Sequence, residues 1–527
     1  MNKTEHHMSM TGDAPGAIST IQRIASAIGL LGLFILILAM ANVNFPNKTL
    51  FLSLSIGLIA AGTILFAHDT YMGKHAGIKN DGVWFRSMTA RGFWAWVTGI
   101  SLTLFYIVLY WYPEYLGLNS EGANTGIIAL FDPLSKFISG YPASQWFVYG
   151  TLYTVAILVF GYKFILKYRH NNYEILRTFS VMFFQLGFAF LIPEILIRLN
   201  QPYFNPANLW PLNYDFFAGY KMGGFFSAGN VGMLMFIFGI VSIFVISPIL
   251  TYKYGKRWYC SWVCGCGGLA ETAGDPYRHL SDKSTFAWKV ERWVVHSVLV
   301  FVVVMTIAVI YSFLLENPSD SWLSKDVFLW LSAGFLTLLF ALIMIFKRQE
   351  LAKDAKYGAI GYLVIILAII SINYFSGNYR IFFFDGHQLR AWYGFLIGAA
   401  FSGVIGVGFY PIFGNRVWCR FGCPMAAVLG MQQRLFSKFR ITTNGGQCIS
   451  CGNCSTYCEM GIDVRAYAQK GENIVRSSCV GCGICSAVCP RGVLKLENGP
   501  LKGRINSEAV LLGNDVDLLD LINQKND

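Results

Sequence analysis

The sequence contains few charged residues. Only 13% of its 527 residues are Asp, Glu, Lys or Arg, whereas 55% are hydrophobic and the mean hydropathy is +0.48. A soluble protein of this length needs a more polar surface, so the composition predicts a membrane protein with several spans in contact with lipid. The formal net charge is +12. It predicts no nucleic-acid partner, because the basic residues lie between apolar segments, as in the cytoplasmic loops of membrane proteins.

Cysteine is missing from the first 259 residues of the chain. All thirteen cysteines lie between Cys260 and Cys489, and none belongs to a Cys-x-x-Cys-His haem-attachment motif. No nucleotide-binding glycine motif stands out either. A cleavable signal peptide is not evident, since residues 1–20 are polar and the first apolar run is long enough to be a complete span. The chemistry of the protein is therefore expected in the cysteine-bearing half.

Ten apolar segments are long enough to cross a bilayer as helices. They lie near residues 23–42, 49–67, 92–111, 146–166, 176–197, 229–250, 294–314, 327–346, 358–375 and 391–411. If the N-terminus is cytoplasmic, the inner loops are 68–91, 167–175, 251–292 and 347–357, and these carry most of the Lys and Arg residues between spans. This bias predicts a bacterial cytoplasmic-membrane protein with both termini and all cysteines on the cytoplasmic side.

The region from Cys448 to Pro490 contains two consecutive Cys-x-x-Cys-x-x-Cys-x-x-x-Cys runs. This spacing is typical of bacterial ferredoxins, in which the fourth cysteine of each run ligates the other cluster. It predicts one [4Fe-4S] cluster on Cys448, Cys451, Cys454 and Cys489, and another on Cys479, Cys482, Cys485 and Cys458. Disulfides and zinc are the competing interpretations, but zinc sites normally use cysteine pairs and a cytoplasmic location disfavours disulfides. Glu459 follows Cys458 where such domains usually have proline.

Two further motifs follow the sixth and tenth predicted spans. The segments GKRWYCSWVCG (255–265) and GNRVWCRFGCP (414–424) align without a gap and form an internal repeat. Their four cysteines are Cys260, Cys264, Cys419 and Cys423, which would suit one more metal centre, such as a third [4Fe-4S] cluster. Cys266 is an alternative ligand or a spare thiol. The competing interpretation is a set of reduced structural or redox-active cysteines without metal.

These features together resemble one bacterial membrane polyferredoxin family. It contains the nitrous-oxide-reductase regulator and electron donor (NosR), the nitrate-reductase quinol dehydrogenase subunit (NapH) and the cytochrome oxidase accessory protein (CcoG). The likeness covers roughly residues 230–495 and implies membrane-bound electron transfer that involves the quinone pool or a cytoplasmic donor and a respiratory partner. The chain departs from the family at Gly265, where proline is usual, at the added Cys266, and in its five N-terminal spans.

Ionisable residues at the ends of spans cost free energy to place near the bilayer, so they are candidates for a function, here a quinol or proton site. Glu194 lies next to Pro193 near the outer end of the fifth span, and Arg198 follows one turn later. Asp385 and His387 lie in the outer loop 376–390. In each case a structural role competes: Glu194 can pair with Arg198, and 376–390 can be an ordinary interfacial loop. The long loop 198–228, rich in aromatics, predicts a lid or a docking surface.

The predicted organisation has seven parts. They are a polar tail (1–20), a six-span bundle (21–250), a cysteine loop (251–293), a four-span bundle (294–412), a second cysteine loop with a linker (413–440), an α+β ferredoxin domain with two [4Fe-4S] clusters (441–500) and an acidic tail (501–527). The leading hypothesis is an iron–sulfur electron carrier that exchanges electrons with quinone and a redox partner, as a possible oxidoreductase subunit. The alternatives are an accessory protein that supplies electrons for assembly of a copper or haem enzyme, and a redox-sensing transporter.

Overall fold

A computed structural model describes residues 18–73, 88–119, 122–317, 323–351, 353–376, 380–381 and 384–498, and the pairs 511–512 and 516–517. The predicted tails 1–20 and 501–527 fall almost wholly outside these residues, as does most of the first predicted inner loop.

The first half of the chain is helical. Its helices are α1 (Thr20–Met40), α2 (Lys48–Tyr71), α3 (Phe93–Trp111), α4 (Gly126–Ile138), α5 (Gln145–Lys167), α6 (Asn172–Arg198), α7 (Gly219–Ser227), α8 (Gly229–Tyr254), α9 (Arg257–Cys260) and α10 (Gly265–Thr272). Helices begin where polar side chains satisfy free backbone N–H groups: Ser19 makes a reciprocal cap with Gln22 before α1, and Ser144 caps α5. A 3₁₀ turn, Asp275–Leu280, follows α10.

The second half continues with helices of very different lengths. They are α11 (Thr285–Glu316), α12 (Lys325–Phe346), α13 (Lys353–Ser376), α14 (Gly386–Tyr393), α15 (Tyr410–Phe413), α16 (Pro424–Phe436), α17 (Asn453–Thr456), α18 (Val464–Lys470) and α19 (Ile484–Ala487). π-Helical segments extend α14 over Gly394–Ile405, interrupt α6 at Phe184–Leu191 and form Trp418–Gly422.

Nine helices of the described chain are long and apolar enough to cross a membrane. They are α1, α2, α3, α5, α6, α8, α11, α12 and α13. The tenth predicted span, near 391–411, corresponds to the continuous helix formed by α14 and its π-helical extension, which starts in polar residues and is less apolar overall. The protein is thus a polytopic helical membrane protein, as its composition predicts. The outer helix faces fit lipid: Leu331 and Phe346 of α12 are 59% and 74% exposed.

The C-terminal part is a small module with one antiparallel sheet. Strand β3 (Phe439–Thr443) pairs with β4 (Leu494–Asn498), so that Phe439 faces Asn498 and Thr443 faces Leu494. Two shorter pairs are also present, β1 (Arg380–Ile381) with β2 (Phe384–Asp385), and β5 (Leu511–Leu512) with β6 (Val516–Asp517). Between β3 and β4 lie α17, α18 and α19 together with all eight ferredoxin-type cysteines. This is the predicted small α+β ferredoxin domain.

The segment 199–218, part of the predicted outer loop 198–228, packs into the bundle. Leu209 and Leu212 pack in the same core as Cys260 and Cys264, and the Trp210 indole donates to the Thr306 hydroxyl, in the body of α11, at 3.0 Å. Non-helical backbone is tolerated at membrane depth only where protein encloses it. The segment 199–218 therefore turns back into the bundle from the end of α6 and closes over the cysteine loops.

Candidate metal centres

Four cysteines at the edge of the C-terminal module line one cleft. Cys448, Cys451, Cys454 and Cys489 border it, together with Pro490 and Arg465. Burial and then the nearby Cys489 thiol raise the pKa of Cys454 to about 12. Thiols packed in this way become thiolates when a cation binds among them, as iron does. We call these residues the first ferredoxin set, and they are the four that the crossover spacing groups together.

A second set of thiols lies deeper in the module. The Cys485 thiol interacts electrostatically with Cys479, Cys458 and Cys454, and Cys482 interacts with Cys485. Burial raises the pKa of Cys479 to about 11. Cys458 comes from the first run yet lies with the second, and its sulfur accepts a hydrogen bond from the Ile462 N–H at 3.4 Å. Cys458, Cys479, Cys482 and Cys485 form the second ferredoxin set.

The two Cys-x-x-x-Cys motifs come together, although four long helices separate them in the chain. Cys423 interacts electrostatically with Cys419, Cys260 and Cys264. The motifs have matching backbones: Gly255 and Gly414 both adopt positive φ, at 67° and 94°, which only glycine does at little cost. Cys264 and Cys423 both occupy the position before a helix, α10 and α16. Cys260, Cys264, Cys419 and Cys423 form the membrane-side set, and the Cys266 thiol lies next to that of Cys264.

The three sets occupy one continuous core. That core contains every cysteine except Cys451, with Tyr259, Trp418, Phe439 and Leu429 packed among them. The residues fit iron–sulfur clusters, because each set offers four thiols in an enclosed, largely apolar site, and thiolates are the ligands that such clusters use. One protein body thus joins the ferredoxin-like module to the membrane helices.

A buried layer of charged residues separates the membrane-side set from the second ferredoxin set. Glu459 pairs with Arg278 at 2.6 Å and with Arg416 at 3.0 Å, and all three side chains are fully buried. Burial alone would raise the pKa of Glu459. The two guanidinium groups outweigh burial and hold the pKa of Glu459 below its usual range. Glu459 thus occupies the usual proline position because it binds arginines from the two cysteine loops.

The layer continues towards the membrane helices. Arg416 also pairs with Glu271, Glu271 pairs with Arg177, and Arg177 pairs with Glu174 at 2.7 Å. The Asp275 carboxylate pairs with Arg278 at 2.8 Å and with Lys167 at 2.7 Å, and so links the two cations. Arg416 and Glu459 lie beside cysteine motifs in the sequence, but the other members of the layer stand there as isolated charges that no local motif marks. Arg278, one of the basic residues of the predicted inner loop 251–292, has no exposed surface and is a structural group.

The segment 199–218 seals the membrane-side set from the opposite direction. The Tyr259 hydroxyl donates to the Ala207 carbonyl at 2.8 Å and accepts from the Leu209 N–H at 3.4 Å. Tyr259 is 1% exposed and precedes Cys260 directly. A site closed on both sides excludes water, and this affects the potential of any bound cluster.

Four tyrosines of the membrane bundle gather beside Cys266. Tyr106, Tyr110, Tyr149 and Tyr153 all lie within electrostatic range of the Cys266 thiol. Their rings follow one another, with centroid separations of 5.8 Å for Tyr106–Tyr110, 6.0 Å for Tyr106–Tyr149 and 5.4 Å for Tyr149–Tyr153. Tyr110, Tyr149, Tyr153 and Cys266 are each only partly buried, and we call the region that they and Tyr106 line the tyrosine cleft. The tyrosine cleft lies beside the π-helical segments Phe184–Leu191 and Gly394–Ile405. Segments of this kind often mark functional sites.

The structure does not join the predicted quinol residues into one site. Glu194 and Arg198 lie on α6, and Arg198 donates to the Phe137 carbonyl. Asp385 caps α14 by accepting from the His387 N–H at 3.1 Å, and the His387 imidazole lies 3.2 Å from Glu316. Within the described chain, no hydrogen bond or ion pair links the α6 pair to the α14 pair. Arg198, Asp385 and His387 therefore have structural partners, and the predicted quinol role remains a prediction.

Comparisons with known proteins identify iron–sulfur domains in the same places. The 4Fe-4S dicluster domain family matches residues 447–494, and the 4Fe-4S binding domain family matches twice, over 236–284 and 395–442. The double match agrees with the predicted repeat. An Escherichia coli (strain K12) protein named "Putative electron transport protein YccM" is 40% identical over 53 residues, which cover 10% of this chain and 15% of that protein. No solved structure matches.

These findings define the class of the protein. Matches to 4Fe-4S binding domains, clustered cysteines and apolar spanning helices make it a membrane protein with 4Fe-4S-type domains, and they support a role in electron transfer. The finer resemblance to NosR, NapH and CcoG remains a prediction.

Proposed function

We propose that the protein carries single electrons through three [4Fe-4S] sites, between the quinone pool or a cytoplasmic donor and a respiratory redox partner. The observation that carries this proposal is the single core to which all three cysteine sets contribute. The first ferredoxin set holds one cluster and the second holds another, with Cys458 and Cys489 as the crossed ligands. Such clusters supply one-electron oxidation and reduction when bound, and the chain sets their spacing and surroundings.

The membrane-side set holds the third cluster. Its support is the mutual proximity of four thiols from two motifs that the same 4Fe-4S binding family matches. The charge next to it also fits, since the Arg416 guanidinium lies 3.5 Å from the Cys419 sulfur and offsets negative charge there. The two aligned motifs supply four thiols without Cys266, which has no counterpart in the second motif, so we assign it no ligand role.

The sets lie on the cytoplasmic side of a bacterial inner membrane. Because both Cys-x-x-x-Cys motifs meet in one core, an even number of crossings must separate them. Helices α11, α12 and α13 supply three, so we infer that α14 with its π-helical extension supplies the fourth. The excess of Lys and Arg in the loops on this side supports the cytoplasmic assignment.

Quinone exchanges electrons at the tyrosine cleft. The cleft lies beside Cys266 in the membrane part of the bundle, and its hydroxyl groups are the hydrogen-bond donors that a quinone carbonyl needs. The residues Glu194, Arg198, Asp385 and His387 remain a second candidate for this role. An accessory role in the assembly of a copper or haem enzyme is the alternative function.

Metal analysis of the purified protein tests the three-site proposal. About twelve irons per chain are expected, with a matching amount of sulfide, and Cys260→Ser or Cys419→Ser should each lower the count by about four. Cys266→Ser is the matched control and should keep all of them. A count of about eight in the wild type would contradict the third site.

Reoxidation kinetics test the quinone proposal separately. Dithionite-reduced protein is mixed with a soluble ubiquinone or menaquinone analogue, and the cluster absorbance is followed. Tyr149→Phe should slow reoxidation by about tenfold, the effect of losing one good hydrogen bond, whereas Tyr141→Phe, outside the cleft, should not. Lack of any reoxidation by either analogue would contradict the quinone proposal. A partner enzyme that lacks its metal in cells without this protein would favour the accessory role.

A further inference from the structure

Arg416 lies between the membrane-side set and the second ferredoxin set. It contacts the membrane-side set directly and reaches the second ferredoxin set through two carboxylates. Its Nη1 atom is 3.5 Å from the Cys419 sulfur and 3.4 Å from the Cys260 carbonyl, both in the membrane-side set. On its other edge the guanidinium pairs with Glu271 and, at 3.0 Å, with Glu459. The side chain has no exposed surface.

The two carboxylates next to Arg416 reach the second ferredoxin set. A carboxylate oxygen of Glu271, one of Glu459 and the Cys482 sulfur all lie within 4.8 Å of one another. A single layer of paired side chains therefore separates the Cys419 sulfur from the Cys482 sulfur. Arg278 closes the layer by binding Glu459 from the far side at 2.6 Å.

The motif geometry itself does not require this arrangement. Arg257 holds the equivalent position in the first motif, and there it stacks over the Phe439 ring at 4.6 Å and donates to the Tyr254 carbonyl at 3.1 Å. The two arginines thus share a backbone setting but differ in their partners. Buried ion pairs rarely stabilise a fold more than apolar groups of the same volume would, so the buried layer around Arg416 calls for another explanation.

We propose that Arg416 is a positioning residue that fixes the membrane-side set against the second ferredoxin set and raises the reduction potential of the centre at Cys419. The inference rests on the proposed third cluster. Reduction adds one negative charge to a cluster, and a cationic hydrogen-bond donor at a ligand sulfur stabilises that charge. The paired carboxylates hold the guanidinium in place, because its fork can bind both at once.

Reduction potentials measure this effect directly. In a titration of the purified full chain monitored by paramagnetic resonance, Arg416→Gln should shift the membrane-side centre to lower potential and leave the first ferredoxin centre unchanged. Arg420→Gln is the matched control, since Arg420 is also buried and next to Cys419 but pairs with Glu291 at 3.0 Å. Spin–spin interaction between the two neighbouring reduced centres should weaken in Arg416→Gln only.

Glu459→Gln provides a second variant if Arg416→Gln fails to assemble its clusters. It removes a negative charge beside Arg416, so the membrane-side centre should shift to higher potential. Unchanged potentials in a variant with full iron content would overturn the inference, and so would an equal shift in Arg420→Gln. A wild-type count of about eight irons would instead contradict the proposed third site, so the two failures are distinguishable.

Discussion

The Glu459 carboxylate and the Arg278 guanidinium form a 2.6 Å ion pair in which neither side chain is exposed. The pair joins the module that carries the ferredoxin-type cysteines to the loop before α11. It explains why the module is fixed to the membrane helices rather than linked to them only through the chain.

Removing one member of this pair should loosen the module. Glu459→Ala leaves the buried layer with one unmatched positive charge, although Arg278 and Arg416 keep their other partners, and breaking a buried pair typically costs about 3–5 kcal/mol. The melting temperature of the detergent-solubilised protein, followed by cluster absorbance, should fall accordingly. Asp326→Asn is the control, because the Lys325–Asp326 pair is partly exposed, at 30% and 48% of the two side chains, and surface pairs contribute about 0–1 kcal/mol. Equal melting temperatures for the two variants would contradict the docking role.

The crossed ligand arrangement predicts which cluster each cysteine variant loses. Cys458→Ser should remove the centre of the second ferredoxin set and keep that of the first, although Cys458 belongs to the first run. Cys489→Ser should do the reverse, because Cys489 lines the cleft with Cys448 and Cys454. The paramagnetic spectra of the two variants would distinguish these outcomes. Loss of the centre belonging to each cysteine's own run would contradict the crossover.

His279 should make stability depend on pH near neutrality. Burial lowers the pKa of His279, and nearby cations lower it further. The hydrogen bond that Nε2 donates to the Thr89 carbonyl at 2.7 Å acts in the opposite direction but does not outweigh them. The unfolded chain therefore binds the proton more readily, and the stabilisation present above about pH 6.5 is lost as the pH falls towards the folded-state pKa. Between pH 7.5 and 5.5 the melting temperature of His279→Gln should fall less than that of the wild type.

The exposed His170 gives the control for this experiment. His170→Gln should follow the wild-type pH dependence, since its imidazole lies at the surface. A wild-type melting temperature that is constant over this interval would rule out a contribution from His279.

The Tyr259 hydroxyl should keep water from the membrane-side set. Tyr259→Phe leaves the Ala207 carbonyl without its 2.8 Å donor, and an unsatisfied buried polar group costs about 1–3 kcal/mol. The segment 199–218 should then open more often, and an iron chelator should remove the membrane-side centre faster than in the wild type. Tyr254→Phe is the control, and equal chelation rates would contradict a sealing role.

The sequence predicts the features that depend on short-range spacing. Apolar segments identify the spans, and the two cysteine runs predict the first and second ferredoxin sets. They also predict that Cys458, from the first run, lies with the second set. The repeat of Gly255 and Gly414 likewise predicts that both Cys-x-x-x-Cys loops share a backbone, because each copy is locally encoded. In these cases the residues that matter lie close together in the chain.

The charge layer and the tyrosine cleft could not be predicted in the same way. Arg416 and Glu459 lie beside cysteine motifs, but Arg177, Glu271 and Arg278 each have the appearance of an ordinary loop or helix-end charge, and only the fold brings all five together. The segment 199–218 resembles an outer loop in composition, since proline and aromatic residues are equally common in interfacial loops. Only tertiary packing decides that it enters the bundle, as the bond from Tyr259 to Ala207 shows.

The division of the membrane-side set between two distant motifs also bears on how the chain is made. Cys260 and Cys264 emerge from synthesis long before Cys419 and Cys423, with α11 to α14 between them. Until those helices are in the membrane, the first pair has no partners and cannot enclose an ion on four sides. The site therefore forms late in biogenesis, and its completion marks a chain whose helices have all been inserted.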